Sequence, residues 1–182
     1  MKTVSSLLAI TITAISFNVT AASAFRISST DITDNLQLTQ KQIFNGFGCN
    51  GENISPQLSW QNPPAGTKSY AITLFDPDAP TGSGWWHWTV VNIPAHVQTL
   101  PSGVGKDKLP AGAIQGRNDF GYSGFGGACP PAGDKPHRYQ FTVWALNTEM
   151  LPIDSNASGA LVGFMLNSHV IAKAELTATY GR

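Results

Sequence analysis

Three apolar stretches stand out from a chain that is otherwise rich in turn-forming residues. They cover residues 69–75, 86–93 and 139–146. The first has apolar side chains on both faces, which is typical of a buried strand. The pattern therefore predicts three core strands of a mainly β fold. Weaker signals predict short strands at 25–30, 55–60, 113–116 and 175–180.

Polar side chains end the apolar faces of these core strands. Strict alternation extends the apolar face of the first strand to Asp76. Alternation places His87 on one face of the second strand together with Thr89 and Val91, and it places His137 at the start of the third. Three polar groups at the ends of three core strands predict a pocket.

One segment has helical rather than strand periodicity. Apolar residues recur at helical spacing over 158–174, which predicts a helix capped by Ser155 or Asn156. Composition supports a mainly β fold elsewhere, because only 12% of the 182 residues are charged while 18 glycines and 12 prolines supply turns.

The first 24 residues have the features of a signal peptide. Lys2 precedes an uncharged run from Val4 to Val19, and Ala22-Ser23-Ala24 fits a cleavage site. The alternative is a membrane anchor, which the short, hydroxyl-diluted run disfavours. Residues 25–182 are thus predicted to form one exported domain with no stable membrane insertion. The absence of a basic stripe argues against nucleic-acid binding.

Cys49 and Cys129 are the two cysteines of the chain. In an exported protein such a pair predicts a disulfide. A pair of metal thiolates is the alternative, but neither cysteine has another ligand at zinc-site spacing.

Asp76 and Asp78 flank Pro77 and allow two interpretations. Both carboxylates could bond backbone amides in a turn. Alternatively Asp76 belongs to the pocket and Asp78 supports it. A carboxylate near His87 or His137 favours the imidazolium, which donates two hydrogen bonds to an anion such as phosphate.

Two catalytic alternatives remain open. Asp76, His87 and His137 could converge on a metal ion. Ser83 or Ser123 could serve a hydrolase, although neither lies in a nucleophile-elbow context.

Several ordered motifs resemble the phosphatidylethanolamine-binding protein family, which includes the Raf kinase inhibitor proteins. They are GENISPQLSW at 51–60, GTKS at 66–69, DPDAP at 76–80, HW at 87–88 with VNIP at 91–94, and PP at 130–131 before HRY at 137–139. NDFG at 118–121 and the export signal make the chain most similar to bacterial members of the YbhB/YbcL type.

The resemblance implies two antiparallel sheets, a C-terminal helix and a small anion-binding pocket without a cofactor. The implied ligand-binding residues are Asp76, His87, His137, Pro80, Gly127, Pro130 and Tyr139, with Asp78 and Arg138 in support. The family binds phosphate-like and phosphoethanolamine-type groups, and the bacterial relatives suggest a homodimer.

The expected function is therefore non-enzymatic binding of a phosphate-like anion by a periplasmic protein that regulates or inhibits by binding. Release from the cell is an open alternative to retention in the periplasm. The main alternative is an interaction module for another exported or extracellular protein, with Trp85, Trp86 and Trp88 as an aromatic anchor surface.

Overall fold

The computed structural model describes residues 23–105 and 108–182. The signal peptide predicted at 1–24 lies almost wholly outside these ranges. The strands are β1 (Arg26–Ser28), β2 (Asn45–Gly46), β3 (Cys49–Asn50), β4 (Leu58–Gln61), β5 (Ser69–Asp76), β6 (Trp85–Pro94), β7 (Thr99–Leu100), β8 (Ile114–Gln115), β9 (His137–Leu146) and β10 (Val170–Tyr180). The α-helix is α1 (Gly159–His169), and a 3-10 turn covers Gln40–Gln42.

Antiparallel pairing organises the strands into a central sheet, a smaller sheet and a ribbon. The central sheet has the order β10-β9-β5-β6-β8, the smaller sheet has the order β1-β4-β7, and β2 pairs with β3. This architecture confirms the expected mainly β fold with antiparallel sheets and a C-terminal helix. The three predicted core strands are β5, β6 and β9.

The central sheet is buried on both faces, as the apolar pattern of β5 requires. One face carries Tyr70, Ile72 and Leu74 into the main core, where Trp60 of the smaller sheet also lies. The other face packs beneath α1, together with Val162 of the helix. The site-bearing strand ends are therefore held by two cores.

The helix is shorter than predicted. It begins after Ser158, whose side chain accepts a hydrogen bond from the Leu161 amide at 3.3 Å, so the predicted caps Ser155 and Asn156 are wrong. Val170 is already extended, with φ −68° and ψ 133°. The stretch 170–174 pairs with β9 instead of continuing the helix, because that partner strand offers a ladder to its β-branched residues.

β6 contains a bulge at His87. Leu74 pairs with Trp88 while the next residue, Phe75, pairs with Trp86, which leaves His87 as the extra residue. The alternation that placed His87 beside Thr89 and Val91 is therefore wrong: the bulge turns the imidazole toward the main-core side, 5.3 Å from the Tyr139 ring.

The predicted disulfide between Cys49 and Cys129 is present, with a Cα–Cα distance of 5.9 Å. It joins β3 to the loop that leads into β9. Within residues 23–105 and 108–182, no helix has the length and apolar character needed to cross a membrane.

Candidate functional site

A cavity of about 160 Å³ opens where β5, β6 and β9 meet the surrounding loops. The three strands contribute Asp76, His87 and His137, each at most 3% exposed. The wall consists of Phe47, Asp76, Ala79, Pro80, Thr81, Trp85, His87, Phe120, Cys129, Pro130, Pro131, His137 and Tyr139. The structure thus brings six of the seven predicted ligand-binding residues to one wall.

Asp76 combines the two roles that the sequence left as alternatives. Its Oδ1 accepts hydrogen bonds from the amides of Asp78, at 2.8 Å, and Ala79, at 3.1 Å. Its Oδ2 lies 2.8 Å from His137 Nδ1. Because the turn amides hold one oxygen, the other is fixed toward the histidine. Asp76 therefore orients His137 and not His87.

Asp78 and Arg138 connect the ends of β5 and β9. Asp78 Oδ2 accepts hydrogen bonds from the Arg138 amide and Nε, both at 2.9 Å, and its Oδ1 accepts one from Nη2 at 2.7 Å. The hydrogen-bonded guanidinium lowers the pKa of Asp78 to about 2. Both residues lie outside the cavity wall, so their geometry fits the supporting role that was predicted.

His87 is held by the loop that follows β8. Its Nδ1 lies 2.9 Å from the Gly126 carbonyl oxygen and 3.1 Å from that of Gly127. A carbonyl oxygen only accepts hydrogen bonds, so Nδ1 carries the proton. Burial lowers the pKa of His87 to about 4 despite these bonds. The ring is thus neutral near pH 7.

Gly127 lies behind the cavity instead of on its wall. A side chain there would overlap the backbone of Gln42, Ile43 and Phe44. Its carbonyl positions His87, while Cys129 is the residue of this loop that borders the cavity beside Pro130.

An aromatic cluster that the sequence did not predict forms one side of the cavity. Phe120 stacks on Phe44 with ring centroids 4.0 Å apart and approaches the Trp85 and His87 rings to 5.3 and 5.4 Å. Asp119 anchors this loop, because its Oδ2 accepts a hydrogen bond from the Trp86 amide at 2.7 Å. The sequence offered one indication of this cluster, namely that Trp85 lies in a run of aromatic residues next to the predicted pocket histidine.

The three neighbouring tryptophans do not form the predicted anchor surface. Trp85 borders the cavity. Trp86 packs against Phe75. It also lies so close to Gly159 of α1 that any side chain at position 159 would overlap the Trp86 ring. Trp88 is fully buried and donates to Gln115 Oε1 at 2.6 Å. Each ring therefore serves a different part of the fold.

Two hydrogen-bond donors on the wall lack an acceptor within the described residues. They are the indole Nε1 of Trp85 and the hydroxyl of Tyr139, both buried. Burial raises the pKa of Tyr139, so the phenol keeps its proton at neutral pH. Buried donors without partners are costly, which makes them natural contacts for a bound polar group.

Charge in and near the cavity is sparse. Among residues 23–105 and 108–182, no lysine or arginine lies on the wall. His137 lies between two carboxylates, with Nδ1 at Asp76 and Nε2 3.5 Å from Asp134 Oδ2. In its imidazolium form, His137 would supply positive charge to the described part of the wall.

The described residues do not show the geometry expected for the two catalytic alternatives, a metal site and a serine hydrolase. Among the described residues, no group of three or more His, Cys, Asp or Glu side chains is arranged to hold a metal ion. Ser123 Oγ donates to the Ser155 carbonyl at 2.7 Å, and neither Ser83 nor Ser123 borders the cavity. The wall offers a binding site with donors, one neutral histidine and no serine nucleophile.

Comparison with known proteins gives a consistent family. The model of the phosphatidylethanolamine-binding protein family matches residues 28–181. UPF0098 protein YbcL of Escherichia coli is 64% identical over 87% of this chain and 88% of its own length, and YbhB of the same organism is 50% identical over 85% and 99%. The crystal structure of E. coli YbcL, described as a member of the mammalian PEBP family, aligns with a TM-score of 0.86 and 62% identity over 88% of this chain and 99% of that one.

Proposed function

The chain belongs to the phosphatidylethanolamine-binding protein family, and on this premise we propose that it binds a phosphate-like anion without chemically changing it. The observation that supports this most is that one cavity is lined by His137 together with Trp85 and Tyr139, two residues whose buried donors have no acceptor within the described residues. The name of the family also directs attention to phosphate-bearing headgroups. Any regulatory or inhibitory effect would follow from binding.

His137 is the proposed source of positive charge. Asp76 fixes its orientation through Nδ1, so in the imidazolium form a second N–H at Nε2 remains for the ligand or for Asp134. Charge-assisted hydrogen bonds of this kind are about twice as strong as neutral ones. The indole and phenol donors add neutral hydrogen bonds in a buried setting.

The size of the cavity favours a headgroup over a lipid chain. About 160 Å³ is well below the roughly 300–1,000 Å³ typical of sites for drug-sized ligands. Phe47 and Phe120 give the wall an apolar side that suits a short alkyl stem such as that of phosphoethanolamine.

Calorimetric titration with inorganic phosphate and with phosphoethanolamine tests the proposal. His137→Ala should weaken binding by about tenfold or more, because a hydrogen bond to a charged group is lost. His87→Ala should also weaken it, whereas His96→Ala, at an exposed position, should match the wild type. Equal affinities for the wild type and both cavity variants would refute anion binding at this site.

We also propose export to the periplasm. The Cys49–Cys129 disulfide supports an oxidising compartment, because such bonds rarely persist in a bacterial cytosol. Fractionation of cells expressing the full chain tests this, and recovery of reduced, full-length protein only from the cytosol would contradict it. A homodimer and a protein partner remain proposals that size-exclusion and pull-down measurements of the same fractions address.

A further inference from the structure

His87 presents a hydrogen-bond acceptor, and not a donor, to whatever enters the cavity. Its Nδ1 proton is committed to the carbonyl oxygens of Gly126 and Gly127. Nε2 has no hydrogen-bond partner in the described ranges, and the ring forms part of the wall. In the neutral ring this nitrogen carries a lone pair.

The surroundings hold His87 in this state. Phe120 and Tyr139 pack edge-on against the ring, with centroids 5.4 and 5.3 Å away. Rotating the ring by 180° would point a C–H at the two carbonyls and leave both without a donor. The titratable groups that face it are Asp76, His137 and Tyr139, and burial outweighs them in keeping the ring uncharged.

An anion without a proton fits this arrangement poorly. An oxygen lone pair would face the Nε2 lone pair of His87 in a buried site, where an unmet acceptor is costly. A P–OH group removes the conflict, because it donates to Nε2 while the remaining phosphate oxygens accept from Tyr139, Trp85 and the imidazolium form of His137. The wall thus offers one acceptor and three donors, which matches a singly protonated phosphate.

Resting on the proposed function, we infer that the cavity selects a phosphate group that carries a proton, such as the monoanion of a phosphomonoester. It discriminates against sulfate and against phosphodiesters, which have no proton to donate to His87 Nε2. Free phosphate and phosphoethanolamine belong to the selected class. The phosphodiester of an intact phospholipid headgroup does not.

The test is calorimetry at pH 5.5 with methyl phosphate, dimethyl phosphate and sulfate at equal ionic strength. Methyl phosphate should bind about tenfold or more tightly than either competitor, as expected for one satisfied buried acceptor. Sulfate is the decisive comparison because it has nearly the same size and shape as phosphate. Equal binding of methyl phosphate and sulfate would overturn the inference and leave anion binding intact.

Two other outcomes are also decisive. Equal binding of dimethyl and methyl phosphate would overturn the inference in favour of a lipid-type phosphodiester. If none of the three anions binds, the inference fails together with the proposed function.

The pH dependence of binding gives a second, independent test of the inference. A phosphomonoester loses its second proton near pH 6, so apparent affinity for methyl phosphate should fall by roughly twentyfold between pH 5.5 and 7.5. Sulfate itself does not titrate in this range, so the pH dependence of its binding reports the contribution of the protein alone. A pH dependence of methyl phosphate binding no steeper than that of sulfate would contradict selection of the monoanion.

A variant of His87 tests whether the preference for protonated phosphate depends on this residue. His87→Gln supplies an amide that can donate as well as accept, so the preference for phosphate over sulfate should shrink to within about twofold. His96→Gln is the matched exposed control and should keep the full preference. An unaltered preference in folded His87→Gln would overturn the role of this residue, and the wild-type titrations decide the inference if that variant does not fold.

Discussion

Asn53 Oδ1 accepts a hydrogen bond from the Gly127 amide at 2.7 Å, although the two residues are 74 positions apart in the chain. Asn53 Nδ2 donates to the Phe125 carbonyl of the same loop at 3.3 Å. The carbonyl of Gly127 in turn faces His87 Nδ1. Asn53 therefore positions the histidine through the loop, and it does so from a left-handed backbone conformation with φ 54°.

Replacing Asn53 should loosen this loop. Asn53→Ala should lower the free energy of unfolding by about 1–3 kcal/mol, because it leaves the buried Gly127 amide without an acceptor. Asn53→Gly is the matched variant, since glycine adopts positive φ without strain and removes only the side-chain bonds. Chemical denaturation measures both. Stabilities equal to the wild type in both variants would contradict a positioning role.

The stability of the protein should fall as the pH decreases from 6.5 toward 4. The folded state keeps His87 neutral with a pKa of about 4, whereas in the unfolded state the group takes up a proton below about 6.5. The contribution of His87 to the free energy of unfolding is therefore fully present above pH 6.5 and is lost on acidification. The difference corresponds to about 3 kcal/mol at 1.36 kcal/mol per pH unit.

Denaturant unfolding between pH 4.5 and 7.5 measures this loss. His87→Gln should remove that part of the pH dependence, while His96→Gln should follow the wild type. Parallel stability curves for the wild type and His87→Gln would mean that His87 is not held neutral in the folded protein.

The strand ends could be predicted because they depend on local pattern. The apolar stretches predicted β5 and β9, and regular alternation predicted the correct face for Asp76 and His137. His87 reached the cavity for a different reason than the one predicted. A β-bulge adds one residue to one strand of a pair, and the pairing with β5 that creates it is not visible in the sequence of β6.

Other features depended on partners far away in the chain. The stretch 170–174 is apolar enough for either a helix or a strand, and its ladder with β9 decides the outcome. The tryptophans were equally ambiguous, because aromatic residues serve cores and surfaces alike. The separation of Trp85 from Trp86 follows from the position of α1, which local periodicity does not give.

The disulfide should contribute to stability and to the cavity. It closes a sequence separation of 80 residues between Cys49 and Cys129, for which measured contributions are typically about 2–4 kcal/mol. The double replacement by serine should lower the free energy of unfolding by that amount in denaturant titrations. Because Cys129 borders the cavity, phosphate affinity should fall as well. A stability unchanged by both the double variant and a reducing agent would show that the bond is dispensable.

Tyr139 should separate binding from stability. Its buried hydroxyl has no acceptor within the described residues, so Tyr139→Phe removes a donor that folding leaves unsatisfied. The free energy of unfolding should therefore stay the same or rise by up to about 1 kcal/mol. Phosphate binding should weaken by about fivefold to tenfold, because a neutral hydrogen bond to the ligand is lost.

Trp86→Phe is the control, since that ring packs on α1 away from the cavity and its replacement should reduce stability without changing affinity. Thermal unfolding and calorimetry on the same samples measure both quantities. A Tyr139→Phe protein that is destabilised yet binds phosphate as the wild type does would show that the hydroxyl serves the fold and not the ligand.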